Sequence, residues 1–126
     1  METTGMSRTE RLNRTLRRLQ ADSPDVEASA LISEDGLMIA SALPADMEEV
    51  RVGGMSATLH SLGSRAANML NLGNLEQVLI RGENGYAVML RATSGTMLLV
   101  LTNKKAKLGL IFLDMSQSAA AIAQII

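Results

Sequence analysis

The apolar residues of this chain occur in two patterns, helical spacing and short continuous runs, which together predict three helices and five strands. Leu12, Leu16 and Leu19 recur at helical spacing, whereas short continuous apolar runs such as Val78-Leu79-Ile80 are typical of strands. The predicted elements, in chain order, are a helix at residues 9–21, strands at 26–33 and 37–43, a helix at 46–71, strands at 75–81, 86–92 and 96–102, and a last helix whose apolar positions run from Leu108 to Ile126.

Turn and capping residues mark the ends of these elements. Ser7-Arg8-Thr9-Glu10 fits a capping box at the start of the first helix, because Ser7 can accept from a first-turn amide while Glu10 reaches back. Asp35-Gly36 and Asn84-Gly85 are typical of hairpin turns. Asp46 is expected in the first turn of the long helix, and Asn103 is expected to cap the last helix.

These elements predict an α/β protein of the α+β type, in the order α-β-β-α-β-β-β-α. Its antiparallel strands form one sheet whose runs are apolar on both faces, so both faces need cover. The long helix is expected on one face, and the first and last helices on the other. A length of 126 residues fits one domain, residues 7–126, preceded by a flexible segment, residues 1–6.

Composition excludes several classes of function. Apolar residues make up 47% of the chain, yet Tyr86 and Phe112 are its only aromatic residues, so it offers few faces on which bases could stack. The formal net charge of −1 gives no general attraction to nucleic acid, which is not expected as a partner. The absence of cysteine excludes disulfides and thiolate metal sites.

No integral membrane segment is expected either, because no apolar run reaches the roughly 18 residues of a membrane span. The first residues also lack the apolar core of a secretory signal. A cytoplasmic location is therefore expected.

Charge is unevenly distributed along the chain. The first helix is crowded with basic residues, namely Arg8, Arg11, Arg14, Arg17 and Arg18. Residues 22–49 then carry eight acidic residues and no Lys or Arg. This pattern fits a solvated helix face followed by acidic loops, and it also fits a local basic patch for a partner or for lipid headgroups.

No set of residues suitable for catalysis stands out. His60 is the only histidine, which excludes a histidine metal cluster, and its place in the middle of the long helix favours a surface or interface role. Arg81-Gly82-Glu83-Asn84-Gly85 leads into a strand rather than a helix N-terminus, so it is not a phosphate loop. We therefore expect a protein that is not an enzyme, with no catalytic residues, cofactor or metal site.

The long helix has two unlike sides. One side is large and apolar, and the other is small, where a solvent-facing helix would carry Glu and Lys. The large side holds Val52, Met55, Leu59, Leu62, Ala66, Met69 and Leu70. The small side holds Gly53, Ser56, Ala57, His60, Gly63, Ser64 and Ala67. Both sides need cover, and one sheet in one chain covers only one of them.

A homodimer interface is expected at the small side of this helix and at the third strand. Glycine in a helix interior costs about 1 kcal/mol, so a compensating close contact is expected there. The third strand is expected at a sheet edge, where an apolar strand without proline pairs readily with another copy. The residues assigned to this interface are Gly53, Ala57, His60, Ser64, Ala67, Val78, Leu79 and Ile80. Alternatively, the small side meets the sheet while the large side meets a partner, and the second strand or a loop shields the third.

The segment Ala30-Leu31-Ile32-Ser33-Glu34-Asp35-Gly36-Leu37-Met38-Ile39-Ala40-Ser41 resembles the first hairpin of the roadblock/dynein-light-chain family. The loop Leu70-Asn71-Leu72-Gly73, the strand Gln77-Val78-Leu79-Ile80-Arg81-Gly82 and the segment Ala106-Lys107-Leu108-Gly109-Leu110 extend the resemblance over nearly the whole chain. The compact length is similar to that of MglB-type bacterial and archaeal members.

This resemblance implies a profilin-like roadblock domain that forms a homodimer, with a sheet continuous through the third strands and the two long helices side by side. It further implies a platform that binds a small Ras-like GTPase, in some members stimulating GTP hydrolysis. The residues assigned to this partner surface are Arg51, Met55, Thr58, Leu62 and Arg65. The alternative is a dimeric scaffold in a signalling or motility operon that is indifferent to nucleotide state and docks through the arginine-rich helix.

Overall fold

In the computed structural model of the chain, which describes residues 6–126, three helices and five strands follow one another in the predicted order. The elements are α1 (Arg8–Asp22), β1 (Val26–Ser33), β2 (Met38–Ala42), α2 (Glu49–Met69), β3 (Gln77–Gly82), β4 (Gly85–Thr93), β5 (Thr96–Asn103) and α3 (Leu108–Ile125). The predicted flexible segment, residues 1–6, lies outside the described residues except for Met6.

The strands form one antiparallel sheet in the order β2-β1-β5-β4-β3. The strands β1 and β5 lie near its middle and are largely buried, whereas β2 and β3 are the edges. The hairpin of β3 and β4 keeps an unbroken register from Gln77 opposite Leu90 to Gly82 opposite Gly85. The predicted edge position of the third strand is therefore confirmed.

The predicted layers are confirmed as well: α1 and α3 pack on one face of the sheet and α2 on the other. The first face buries the larger core, formed by residues that include Leu12, Leu16, Leu19, Leu31, Val88, Leu98, Val100, Ile111, Met115 and Ile122. The second core, beneath α2, is smaller and is built from Ala30, Ile32, Met89, Met97 and Leu99.

Of the helices within residues 6–126, α3 alone is long and apolar enough to cross a membrane. It packs one side against the sheet and α1, where Ile111, Met115, Ala119 and Ile122 are buried. A core helix of a globular fold has this one-sided burial.

The capping box of α1 is confirmed. The Glu10 amide donates to the Ser7 hydroxyl at 3.0 Å, and the Ser7 amide donates to the Glu10 carboxylate at 2.8 Å. The hydrogen bond from the Ser7 amide, followed by that with the Ser7 side chain, lowers the pKa of Glu10 below its ordinary value. These bonds satisfy two amides that a helix start leaves without partners.

Two helix starts differ from the prediction. The helix α2 begins at Glu49, because the chain before it closes a turn in which the Met47 amide donates to the Pro44 carbonyl at 3.0 Å; Asp46 lies in that turn. The helix α3 begins at Leu108, and Asn103 does not cap it. Instead, Asn103 donates its side-chain amide to Asp25 at 3.0 Å and closes the turn after β5.

Candidate interaction surface

The small side of α2 faces the sheet. Gly53, Ser56 and Ala67 are buried on this side, and Val52 and Leu59 pack beside them against the second core. The sequence left open which side of the long helix meets the sheet; in the structure the small side does, together with Val52 and Leu59 from the border of the large side.

Two glycines allow α2 to approach its neighbours closely. A Cβ atom at Gly53 would lie 2.2 Å from the carbonyl oxygen of Gly36 in the β1–β2 turn. A Cβ atom at Gly63 would lie 3.0 Å from a methyl group of Leu75, just before β3. The N-terminal part of α2 is therefore fixed against the first hairpin, and its C-terminal half lies near β3.

This packing corrects part of the predicted homodimer interface. Gly53 and Ala67 are buried inside the protomer, so they have no surface to offer a second copy. Ala57, His60 and Ser64 are half-buried on the same side. The compensating contact expected for the small residues is the contact of α2 with its own sheet.

His60 lies between α2 and the edge of the sheet. It lines a cavity of about 10 Å³ together with residues of β3 and β4. A space of that size holds no ligand and at most one water molecule. The His60 side chain therefore packs partly against β3 and β4 of its own protomer and stays partly accessible.

The large side of α2 carries an exposed apolar row, which we call the α2 stripe: Met55, Leu62 and Met69. The exposed fractions of these side chains are 48%, 62% and 81%. They follow one another at a spacing of seven residues, with Leu59 and Ala66 between them. Leu59 itself packs against the second core, so the exposed row repeats every seven residues, a spacing along which a second helix can pack.

Polar residues flank the α2 stripe. Arg51, Thr58 and Arg65 are exposed, as are the stripe residues Met55 and Leu62, so every residue assigned to the partner surface is accessible. Arg51 lies 3.8 Å from Glu48, and both side chains are largely in solvent. An exposed pair of this kind is weak, so Arg51 can exchange Glu48 for another anionic group at little cost.

The edge strand β3 exposes apolar side chains on both of its faces. Val78 packs into the core beneath α2, whereas Leu79 and Ile80 are exposed at 44% and 41%. No strand within residues 6–126 pairs with the outer edge of β3. Of the residues assigned to the homodimer, Leu79 and Ile80 thus have accessible surface at an edge that can still form hydrogen bonds.

The loop after α2 extends this apolar surface. Leu70 and Leu72 are exposed at 65% and 71%, on either side of Asn71, whose backbone has a positive φ of 59°. Neither leucine was assigned to an interface from the sequence. The sequence did contain a sign of this surface: two leucines lie in the turn that ends the helix, where polar residues are usual.

Within residues 6–126, no group of three or more His, Cys, Asp or Glu side chains is placed to hold a metal ion. The grooves beside α2 are open to solvent, and the one containing Arg65 and Glu34 has a volume of about 450 Å³. What the surface offers is apolar area bordered by charge, which suits protein contacts.

Comparison with family models and known sequences agrees with this geometry. Residues 12–102 match the model of the Roadblock/LC7 domain. Two uncharacterized proteins of Methanocaldococcus jannaschii are each 38% identical over 97 residues, which cover 77% of this chain and 84% of each relative.

Solved structures share the fold. A Roadblock/LC7 domain from Streptomyces avermitilis superposes with a TM-score of 0.84 at 21% identity, covering 89% of this chain and 94% of that one. Myxococcus xanthus MglB gives a TM-score of 0.85 at 18% identity, covering 90% and 93%. Acanthamoeba castellanii profilin gives 0.61 at 16% identity, covering 90% and 98%, which agrees with the predicted profilin-like layout.

Proposed function

This chain belongs to the Roadblock/LC7 domain family, and on that premise we propose that it is a homodimeric regulator that binds a small Ras-like GTPase. Family membership, together with the MglB structures among its neighbours, supports a regulatory or scaffolding role rather than catalysis. In this proposal the protein acts in the cytoplasm and modulates GTP hydrolysis only through the GTPase it holds.

The observation that carries the proposal is the α2 stripe. Met55, Leu62 and Met69 form an apolar row on a helix whose other side is already used by the sheet. Contiguous exposed apolar surface marks contact sites in soluble proteins. The heptad spacing favours a second helix as the contact, and the α2 helix of another copy has the same spacing.

Self-association has a second support at β3. Antiparallel pairing of β3 with its own copy would complete the hydrogen bonds of the outer edge and cover Leu79 and Ile80. Because the C-terminal half of α2 lies near β3, one two-fold axis could bring both elements of two copies together. A solved MglB structure is described as having a tetrameric arrangement, so a protein with this fold does self-associate.

The GTPase would bind on the α2 side, at the residues that self-association leaves accessible. Arg51, Thr58 and Arg65 border the stripe and would supply polar contacts to the GTPase from outside the dimer contact. We assign the arginines a role in positioning the partner's own residues. This assignment follows from the resemblance to GTPase-binding family members and from the accessibility of these side chains.

Sedimentation equilibrium tests the dimer. The full chain is expected to sediment as a dimer, and Leu62→Glu combined with Met69→Glu is expected to give a folded monomer, because two carboxylates would be buried at the interface. Leu113→Glu, at an exposed leucine on α3, is the control and should remain dimeric. A monomeric wild type, or equal loss of dimer in the control, would refute self-association through α2.

Binding to a small Ras-like GTPase of the same organism, loaded with GDP or a non-hydrolysable GTP analogue, tests the partner. One nucleotide state is expected to bind more tightly, and Arg51→Ala with Arg65→Ala is expected to weaken that binding. Failure to bind in both states contradicts the proposal. Equal binding in both states favours the second candidate function, a scaffold indifferent to nucleotide, for which the exposed arginines of α1 supply a separate docking surface.

A further inference from the structure

Charge is divided between the two faces of the sheet. On one face, α1 together with residues 103–126 carries eight basic and three acidic residues, a net charge of +5. On the other face, residues 34–65, which comprise the first hairpin turn and most of α2, carry five acidic and two basic residues, a net charge of −3. The near-neutral total of −1 therefore conceals a strongly basic face.

The basic charge of α1 points away from the core. Leu12, Leu16 and Leu19 form the buried row of this helix, and the exposed side carries Arg14, Arg17 and Arg18. Within residues 6–126, no carboxylate lies within 4.0 Å of any arginine of α1. Among the described residues, no carboxylate therefore competes with an external anion for these guanidinium groups.

The outer side of α3, which lies beside α1, is uncharged. Leu110 and Leu113 are exposed at 58% and 54%, and exposed Gln and Ala residues continue the same side toward the C-terminal end. Asp114 is the only charged residue of α3. It is half-buried and accepts a hydrogen bond from the Ser23 hydroxyl at the end of α1. Lys104, Lys105 and Lys107 immediately precede the exposed leucines.

We propose that the outer surface of α1 and α3 is a docking surface for an anionic lipid bilayer. Arginine guanidinium groups bind phosphate oxygens in a bidentate manner, and a cluster of four to eight basic residues is typical of attraction to anionic lipid. Leu113 enters the headgroup region, whereas Leu110 lies at the rim of a groove that also contains Asp22, Asp25 and Lys107. The apolar core side of α3 stays on the sheet, so the contact is peripheral.

A bilayer fits this surface better than an acidic peptide does. The groove between α1 and α3 has a volume of about 260 Å³, and Asp22 and Asp114 lie in its wall beside Arg18. Two carboxylates in the groove would repel an acidic peptide bound along it. Arg14, Arg17 and Leu113 lie outside this groove, on the exposed sides of two adjacent helices, and an extended anionic surface does not have to enter the groove to contact them.

The docking surface belongs to one protomer and does not require the partner. If β3 pairs with its copy as proposed above, the α1 and α3 helices of both copies lie on one side of the continuous sheet, and α2 faces away. This arrangement of the two copies rests on the proposed function. Because both docking surfaces would then face the same way, the dimer would bind one membrane through two sites and with higher affinity than a monomer.

Co-sedimentation of the full chain with vesicles tests the inference. Binding to vesicles of equal parts phosphatidylcholine and phosphatidylserine is expected, with no binding to phosphatidylcholine alone. The pair Arg14→Glu with Arg17→Glu should lower the affinity about 30-fold or more, since each basic residue near the surface contributes roughly fivefold. The pair Arg51→Glu with Arg65→Glu changes the net charge equally on the other face and should keep wild-type affinity.

Circular dichroism of every variant verifies the fold, and sedimentation of the same samples gives the oligomeric state. Monomeric protein that binds anionic vesicles would refute the proposed dimer and support the bilayer surface. The inference is overturned if the wild type ignores anionic vesicles, if both charge-reversal pairs lose affinity equally, or if the chain binds polyglutamate but no vesicles. Leu113→Gln should weaken vesicle binding. Unchanged affinity would contradict the claim that this side chain inserts into the headgroup region.

Discussion

Gly53 of α2 and Gly36 of the first hairpin are in direct backbone contact. A Cβ atom at Gly53 would lie 2.2 Å from the Gly36 carbonyl oxygen, and one at Gly36 would lie 3.1 Å from the Gly53 carbonyl oxygen. Gly36 also has a positive φ of 89°, which a residue with a side chain rarely adopts. The contact fixes α2 over the sheet and so determines which of its sides remains exposed.

Substitution at Gly53 should therefore be costly. Gly53→Ala is expected to lower the free energy of unfolding by about 2 kcal/mol, because the added methyl overlaps backbone that cannot move aside easily. Gly54→Ala is the matched control, since nothing lies within 4 Å of its Cβ position, and it should gain up to about 1 kcal/mol from helix propensity. Urea unfolding of both variants measures the difference. Similar values for the two would contradict the contact.

Ser56 is a second feature of the small side of α2. Its side chain is fully buried, and its hydroxyl has no hydrogen-bond partner among residues 6–126. Ser56→Ala is expected to raise the free energy of unfolding by about 1 kcal/mol more than Ser61→Ala does, because removal of an unpaired buried hydroxyl removes its desolvation cost. Both substitutions gain the same helix propensity, so the difference in stability between the two variants, measured by thermal unfolding, reports the effect of burying the hydroxyl. A destabilised Ser56→Ala would indicate a buried partner such as water.

Ser23 and Asp114 join the end of α1 to α3 across 91 residues of sequence. A hydrogen bond to a charged group contributes about 1.5–3 kcal/mol, so a double-mutant cycle of Ser23→Ala and Asp114→Ala should give a coupling energy in that range. The two single changes, the double change and the wild type are compared by urea unfolding. Additive effects of the single changes would show that the bond contributes nothing to stability.

The capping box gives α1 a dependence on pH. Because hydrogen bonds from Ser7 hold the pKa of Glu10 below its ordinary value of 4.5, ionised Glu10 stabilises the folded state above that value. This contribution is lost as the pH falls through the lower, folded pKa. The stability difference between wild type and Glu10→Gln should therefore shrink as the pH falls below 4.5, as followed by urea midpoints at a series of pH values. Glu83→Gln, in the β3–β4 turn, controls for the loss of one negative charge, and a difference independent of pH would contradict the role of Glu10.

The local signals of the sequence predicted the elements well, because hydrophobic period and turn chemistry act over a few residues. The helical spacing of Leu12, Leu16 and Leu19 gave α1, and Ser7 with Glu10 gave its start. Helix starts that depend on competing turns were less predictable. Asp46 and Asn103 are both good capping residues, yet one lies in a turn made by Pro44 and the other is engaged by Asp25 from a distant part of the chain.

The sequence by itself determined the α+β fold, the edge position of β3 and the two unlike sides of the long helix, because these follow from composition and spacing along the chain. Only the tertiary structure decided which side of α2 faces the sheet. Periodicity shows that the two sides of a helix differ, but it does not show which side faces the sheet. In this protein that orientation depends on the close approach of Gly53 to Gly36. With α2 in this orientation, its small residues pack against the sheet, and Met55, Leu62 and Met69 are exposed.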